Sequence, residues 1–267
     1  NKPEITNGEC VMSNEVMNKS SGSVALFGDD LQKGFENMTQ EDMALPFVRI
    51  LGQLSPQVTD GDAKYIDGAK PGMIYNTVTS ECFDGKKGIK VIPCYYKKDY
   101  PEWSDRGDGP GAPVAVHLPN SPVIQTGKRD GSKIRLPNGN YLEETASYYV
   151  LVETKAGGMT PALITMKSTQ LNVSKKWNSM MKTIQIPDGK GGMAIPPMHG
   201  VVYNLQSVLQ KNDKGSWYGW SVAQDRIMGQ DDKSLYLTAK DFSGTASKGN
   251  VQTKADVEEK AKDSTPY

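Results

Sequence analysis

Glycine and proline punctuate this chain so closely that they limit its regular structure to short segments. There are 27 glycines and 16 prolines among 267 residues, and many of them flank brief runs of β-branched and aromatic residues. Runs of this kind, bounded by turn residues, are typical of strands rather than of long helices. The sequence therefore predicts a mainly β fold, of the barrel or sandwich kind, with one or two short helices and long loop insertions.

The chain divides into a central domain and two polar ends. Residues 1–30 are polar and lack a sustained period, which predicts a flexible N-terminal arm. Residues 31–243 hold the apolar segments and are predicted to form one domain. Two stretches rich in glycine and proline, at about 104–140 and 187–199, are predicted to be inserted loops. Residues 244–267 are small and polar, and we expect a flexible C-terminal tail.

Strand-like segments separated by turn residues predict several hairpins. The predicted pairs are 73–79 with 88–96, 146–154 with 160–166 across Gly157-Gly158, and 200–209 with 216–222 across 212–215. A further small hairpin is predicted around Asn138-Gly139, inside the first inserted loop.

Two segments before residue 184 are predicted to be helical. Thr39 begins a pattern typical of a helix N-terminus, which predicts a short helix that is interrupted at Pro46 and ends near Gly52. Ser168 can cap a second helix that runs to about Thr183. Its apolar residues recur with helical spacing and form one stripe, whereas its lysines lie off that stripe. The stripe consists of Val173, Trp177, Met180 and Ile184.

The last apolar segment of the domain permits two interpretations. Residues 235–237 could form a strand, or residues 237–242 a short helix. We expect either element to end the domain.

Charge and cysteine content narrow the classes of function. The chain has 31 basic and 31 acidic residues, so its net charge gives no sign of nucleic-acid binding. Cys10, Cys82 and Cys94 are widely spaced and lack the pairing of a zinc site, and we predict buried or reduced thiols. No apolar run reaches the length of a membrane-spanning helix or resembles a signal-peptide core. We expect a soluble, cytoplasmic protein without a membrane partner.

No pattern of residues indicates catalysis. His117 and His199 are isolated in Gly/Pro-rich surroundings, which is typical of surface histidines. The chain contains no nucleophile elbow, phosphate-binding loop or dinucleotide fingerprint. Adjacent carboxylates such as Asp231 and Asp232 are predicted to be solvated charges. We therefore expect a protein that is not an enzyme and has no metal or cofactor. The alternative is an enzyme whose motif is not recognisable in the sequence, and an activity assay would test it.

Three segments combine lysines with aromatic rings. Cations can bind the phosphates of a single strand while rings stack on its bases, so this combination predicts single-stranded nucleic-acid binding. The predicted contacts of the first segment are Lys90, Tyr95, Tyr96, Lys97, Lys98 and Trp103. Those of the second are Lys175, Lys176 and Lys182, and those of the third are Lys214, Trp217 and Trp220.

Some of these rings also have a structural interpretation. Trp177 lies on the apolar stripe of the predicted helix, which favours a core position. Trp217 and Trp220 are three residues apart and would face opposite sides of a strand, so one is expected to be buried and the other free. The neighbours Tyr95 and Tyr96 are expected to divide in the same way.

Four segments together resemble a family of tailed-phage single-stranded DNA-binding proteins with an oligonucleotide-binding (OB) fold. The resemblance covers about residues 35–243. The segments that carry it are 72–79, 88–96 with Glu102-Trp103, 166–171 with 176–180, and 212–220. It implies an OB-like barrel of roughly five strands that coats single strands during phage replication or recombination in the host cytoplasm.

The same resemblance implies a role for the C-terminal tail. Bacterial and phage single-strand binders commonly end in an acidic run and a terminal aromatic that docks on replication proteins. Here Pro266 and Tyr267 fit that ending, and acidic residues precede them. Lys254, Lys260 and Lys262 almost cancel the acidity, so recruitment of phage replication proteins through this tail stays open.

A different class of function fits the same composition. Abundant loops, a neutral net charge and polar ends also suit a structural or assembly protein of the virion. Such a protein would show no salt-dependent binding of DNA. The sequence leaves the oligomeric state open, with a homo-oligomer among the alternatives.

Overall fold

A computed structural model describes residue 30 and residues 33–38, 45–105, 112–213 and 215–249. The chain divides into two compact units, residues 1–42 and 43–267. In the first unit, the N–H of Lys33 donates to the carbonyl of Asp30, and the N–H of Met38 donates to that of Phe35. The predicted arm up to residue 29, and the tail from residue 250, lie outside the described residues.

The second unit consists mainly of strands. In chain order they are β1 (Val48–Ile50), β2 (Ile74–Asn76), β3 (Cys82–Phe83), β4 (Ile89–Trp103), β5 (Ala115–His117), β6 (Lys128–Asp130), β7 (Lys133–Arg135), β8 (Tyr141–Glu143), β9 (Thr145–Glu153), β10 (Met159–Lys167), β11 (Ile186–Pro187), β12 (Met193–Ala194), β13 (Val201–Asn212) and β14 (Gly215–Ile227). The α-helices of the described residues are α1 (Pro122–Thr126), α2 (Leu171–Thr183) and α3 (Lys233–Ser247).

The main sheet is built around β4, which pairs with β9 on one side and β13 on the other. Antiparallel pairing with β10 and β14 gives the order β10-β9-β4-β13-β14. The β9–β10 and β13–β14 pairs are the second and third predicted hairpins, and both are confirmed. A register shift between Pro93 and Tyr95 inserts one residue into β4. This bulge leaves Cys94 and Tyr95 on the same face of the sheet.

Each face of the main sheet carries a helix. On the inner face, α2 inserts Trp177 among Tyr148, Val150 and Tyr203, and all four side chains are buried. The rings of Trp177 and Tyr148 stack with centroids 4.3 Å apart. The predicted amphipathic helix and the core position of Trp177 are therefore confirmed. On the outer face, Phe242 and Ala239 of α3 pack against Ile92, Cys94 and Leu151.

The N-terminal cap of α2 differs from the prediction. Residues 168–170 form a 3-10 turn, and the N-cap of α2 is Gln170, whose side chain makes no capping hydrogen bond. Ser168 instead adopts a positive φ of 51°. Gln170 has another role, because its Oε1 accepts a hydrogen bond of 2.7 Å from the N–H of Trp220 at the free edge of β14. The end of β10 is thereby joined to the opposite edge of the curled sheet.

The predicted helix that ends near Gly52 is wrong over its described part, because Val48–Ile50 form strand β1. Pro46 lacks an N–H and is unfavourable inside a helix, and its carbonyl accepts a hydrogen bond from Leu163 of β10 at 2.8 Å. The predicted 73–79 with 88–96 hairpin is wrong as well. Strand β2 pairs with β1 and β3. Its predicted partner, β4, has both edges occupied by the longer strands β9 and β13.

The first inserted segment is more ordered than predicted. Strands β5 to β8 continue from the far end of β4, and the β7–β8 pair confirms the small hairpin around Asn138-Gly139. The segment has a small core of its own, in which Ile134, Leu136 and Leu142 pack with Tyr100. The short runs of alternating apolar residues in this segment therefore form strands, although glycine and proline are frequent in its sequence.

The remaining segments resolve two further predictions. The end of the domain is helical, and α3 extends to Ser247, so residues 244–247 do not belong to a flexible tail as predicted. The second insert contains the short β11–β12 pair.

Both described cysteines are free: Cys82 is half-buried and Cys94 is buried, as predicted. Burial raises the pKa of the Cys94 thiol to about 12.

The fold class is confirmed as mainly β. The strands form a curled, half-barrel sheet with few short helices, which is consistent with an OB-like barrel. Within the part of the chain that the structure describes, no helix has both the length and the apolar composition that a membrane span requires.

Candidate nucleic-acid interface

The predicted contacts on β4 divide between the two faces of the sheet. Side chains of a strand alternate between faces, so after the bulge Tyr95, Lys97 and Trp103 project from the outer face. Tyr96 projects from the inner face, where its ring lies 5.1 Å from that of Tyr148. Tyr96 is thus part of the core packing, and only the first three residues share a surface.

That surface is a groove of about 630 Å³ beside the C-terminal end of α3, which we call the outer groove. Its lining residues come from five strands, from residues beside them and from the end of α3. The rings among them are Phe47, Tyr95, Trp103 and Tyr149, and the lysines are Lys97, Lys167 and Lys248. Small polar residues, including Thr145, Ser147 and Thr165, form the floor between rings and lysines.

The strand register arranges most of these rings in one row across the sheet. Tyr95 lies opposite Tyr149, with ring centroids 5.7 Å apart. Tyr149 lies opposite Leu163, and Leu163 forms a parallel bridge with Phe47. Since neighbouring strands are about 4.8 Å apart, the row extends over roughly 14 Å perpendicular to the strands.

The charges of the outer groove are mixed. The Lys97 ammonium lies 3.1 Å from the Asp99 carboxylate, and the Lys167 ammonium lies 2.8 Å from that of Glu143. Lys248 has no ion pair within the described residues. Three lysines therefore face two carboxylates, and any anion that enters must compete with Asp99 and Glu143 for two of the lysines.

The other lysines predicted on β4 are held by carboxylates elsewhere. Lys90 pairs with Asp225 of β14. Lys98 lies 2.6 Å from Glu144 and 5.7 Å from the Tyr100 ring centroid. The hydrogen bond to Glu144 raises the pKa of Lys98. Neither lysine lines the outer groove.

The lysines of α2 are exposed as predicted. Lys175, Lys176 and Lys182 point to solvent and have no ion pair within the described part of the chain. However, α2 packs on the inner face of the sheet. The structure therefore places these lysines on the side opposite the outer groove and does not unite them with the β4 residues.

The tryptophans of β14 follow the predicted division only in part, because Trp220 is buried but Trp217 is not free and its Nε1 is buried. Trp220 is 5% exposed and belongs to the inner core. Trp217 is only half-buried. Neither ring lines the outer groove, and Lys214 lies outside the described residues, as do Pro266 and Tyr267.

Sequence reasoning missed Phe47, Tyr149 and Lys248 as groove residues. Tyr149 carried a usable signal, because the Tyr148-Tyr149 doublet must divide between two faces as Tyr95 and Tyr96 do. Phe47 and Lys248 gave none, since they reach the groove only through the β1–β10 bridge and the packing of α3.

His117 is also placed differently from the prediction of an isolated surface histidine. Its Nε2 lies 2.7 Å from Glu102, a buried carboxylate at the far end of β4. Asn138 and Asn140 donate to the other oxygen of Glu102, at 3.1 and 2.6 Å. The cluster ties β5 and the β7–β8 turn to β4.

The fold and this groove define a mainly β protein with an aromatic face between lysines. Residues 18–252 match the model of a family described as Pam3 phage gp34-like protein, and the chain belongs to this family. No curated protein and no solved structure matches the chain.

Proposed function

We propose that this protein binds single-stranded DNA in the outer groove and coats it during phage replication or recombination in the host cytoplasm. The observation that carries the proposal is the row of Tyr95, Tyr149 and Phe47 across the strands, extended along β4 by Trp103. Every base has a π-face, so a row of rings can stack successive bases without selecting a sequence. Bases in a duplex are already stacked on each other, so duplex DNA is a poor ligand for such a row.

The lysines support the proposal with a limited electrostatic contribution. Lys97, Lys167 and Lys248 can neutralise about three phosphates. For single strands, the slope of log K against log salt is about −0.7 per neutralised phosphate. We therefore expect a shallow slope of about −2, with stacking as the larger contribution to affinity.

The test is a fluorescence-anisotropy titration of labelled oligo-dT at low and moderate salt, with duplex of equal length as competitor. We expect tight binding to the single strand, the shallow salt slope, and little effect of the duplex. The absence of binding at low salt would overturn the proposal and favour the structural or assembly role in the virion.

Matched variants locate the binding surface. Lys97→Gln with Lys248→Gln removes two positive charges from the outer groove, whereas Lys175→Gln with Lys182→Gln removes two from α2 on the other side of the sheet. The first pair should weaken binding and the second should not. Equal losses from both pairs would contradict the placement in the groove.

A further inference from the structure

A second cavity, of about 650 Å³, lies next to the outer groove on the outward side of β1 and β2. We call it the β1–β2 pocket. Its wall on the far side is the loop of residues 56–66, where the N–H of Ile66 donates to the carbonyl of Gln57 at 3.0 Å. The lining side chains that matter here are Phe47, Arg49, Gln57, Lys64, Tyr65 and Tyr75.

The pocket continues the face that carries the outer groove. Phe47 lines both cavities. Its N–H donates to Thr77 Oγ1 at 2.9 Å, which joins the residue before β1 to the residue after β2. Two residues further along the same face of β1, Arg49 lies opposite Tyr75. A DNA single strand that follows the row of rings past Phe47 would therefore contact Arg49.

The pocket is more favourable to an anion than the groove. Arg49 and Lys64 line it, and no carboxylate is among its lining residues. Both side chains are exposed, and neither has an ion pair within the described residues. In the outer groove, by contrast, two of the three lysines are already paired. Phosphate binding in the pocket does not require an existing ion pair to break.

The pocket also offers groups that suit a base. The Arg49 guanidinium lies over the Tyr75 ring, 5.7 Å from its centroid, which leaves the ring of Tyr65, 41% exposed, open to stacking. Gln57 is 2% exposed, and its Oε1 is buried without a hydrogen-bond partner in the described part of the chain. Such an acceptor is costly to leave unsatisfied, and the N–H edge of a base can satisfy it.

We propose that the β1–β2 pocket holds one nucleotide of the single strand bound in the outer groove. Its phosphate lies between Arg49 and Lys64, its base stacks on Tyr65, and an N–H of the base donates to Gln57 Oε1. This inference rests on the proposed function, because the groove delivers the strand to the pocket.

The experiment measures affinity against oligonucleotide length for the wild type and two variants. A series of oligo-dT from about 4 to about 16 nucleotides covers the site sizes of OB folds. Tyr65→Leu should weaken binding of the longer oligonucleotides roughly 5- to 150-fold, the stacking increment, and Arg49→Gln should weaken it too. Neither change should have much effect on the shortest oligonucleotide, which the groove alone can hold. Arg49→Gln should also make the salt slope shallower by about 0.7.

Lys182→Gln makes the same change of charge at an exposed position of α2. It is the matched control and should leave every affinity unchanged. Circular dichroism melts would verify that the variants fold, as their exposed positions lead us to expect. If the wild type binds the whole series and both pocket variants bind as it does at every length, the pocket is wrong and the groove stands. If the wild type binds no oligonucleotide, the proposed function itself fails.

Discussion

At the scale of single residues, the type of side chain does not reveal which tryptophans are structural. Trp177 and Trp220 are buried in the inner core, whereas Trp103 lines the outer groove. For Trp177 the helical stripe gave the answer in advance. Trp220 and Trp103 lie on strands, so the sequence predicts which residues share a face with each ring. It does not predict which face is buried, because that depends on where the two helices pack.

The core position of Trp220 leads to a prediction about stability. Trp220→Ala removes a large buried ring, and we expect the free energy of unfolding to fall by about 3–5 kcal/mol. Trp217→Ala, at a half-buried position three residues away on the same strand, should cost less than half as much. Urea unfolding followed by circular dichroism measures both. Equal costs would contradict the division of the two rings between the faces of the sheet.

Tyr95 lies at the β4 end of the proposed binding row, where Trp103 extends the row along the strand. Tyr95→Leu keeps apolar bulk but removes the π-face, so we expect affinity for oligo-dT to fall by the stacking increment of about 1–3 kcal/mol, or roughly 5- to 150-fold. Tyr236→Leu, near the other end of α3, serves as the control ring. Unchanged affinity in a folded Tyr95→Leu protein would remove Tyr95 from the interface.

Glu143 and Glu144 are neighbouring carboxylates, of which Glu143 is a test position and Glu144 its matched control. Glu143 pairs with Lys167 at the outer groove, while Glu144 pairs with Lys98, which does not line it. Glu143→Gln frees a groove lysine and removes a repelling carboxylate, so we expect binding to become about two- to fivefold tighter. Glu144→Gln should have a smaller effect on anisotropy titrations. Weaker binding by Glu143→Gln would show that the carboxylate contributes to binding rather than opposing it.

At the scale of elements, local signals predicted the structure and distant partners did not. The β9–β10 and β13–β14 hairpins have their turn residues between adjacent strands, so the sequence was sufficient for both. The partners of β1 on β2 are 24 to 28 residues away in sequence, and the preceding Phe47 bridges to Leu163. No pattern in the residues before Gly52 indicates such partners, and the helical spacing was misleading there.

The Glu102 cluster links two elements and should depend on pH. The hydrogen bond from Asn140, assisted by those from His117 and Asn138, lowers the pKa of Glu102 below its ordinary value of 4.5. Because the pKa is lower in the folded state, the stabilisation is complete above about pH 4.5 and is lost as the pH falls through the folded-state pKa.

Glu102→Gln should therefore reduce the free energy of unfolding by about 1–3 kcal/mol at pH 7. The difference from the wild type should shrink as the pH falls through the folded-state pKa of Glu102, below which the carboxyl is protonated in both states. Urea midpoints measured from pH 7 down into the acidic range test this, with exposed Asp241→Asn as the control. A difference that stays constant with pH would mean that the ionised carboxylate is not what stabilises the cluster.

At the scale of the whole molecule, the packing of two helices on opposite faces decides what can act together. The sequence places lysines beside aromatic rings in three segments. It could not show that α2 would turn Lys175 and Lys182 away from Tyr95, or that β1 would extend the outer face to Arg49. The surface that results is smaller than the predicted set of contacts and is differently composed.

The most direct test of the proposed surface is photocrosslinking with an iodouracil-substituted oligonucleotide, followed by mass spectrometry of the crosslinked peptides. Iodouracil reacts with rings that it contacts, so the mapped residues report where bases lie. We expect crosslinks on Tyr95, Trp103, Tyr149 or Phe47, and none on α2. Crosslinks confined to residues 171–183 would contradict this expectation and place the single strand on the opposite side of the sheet.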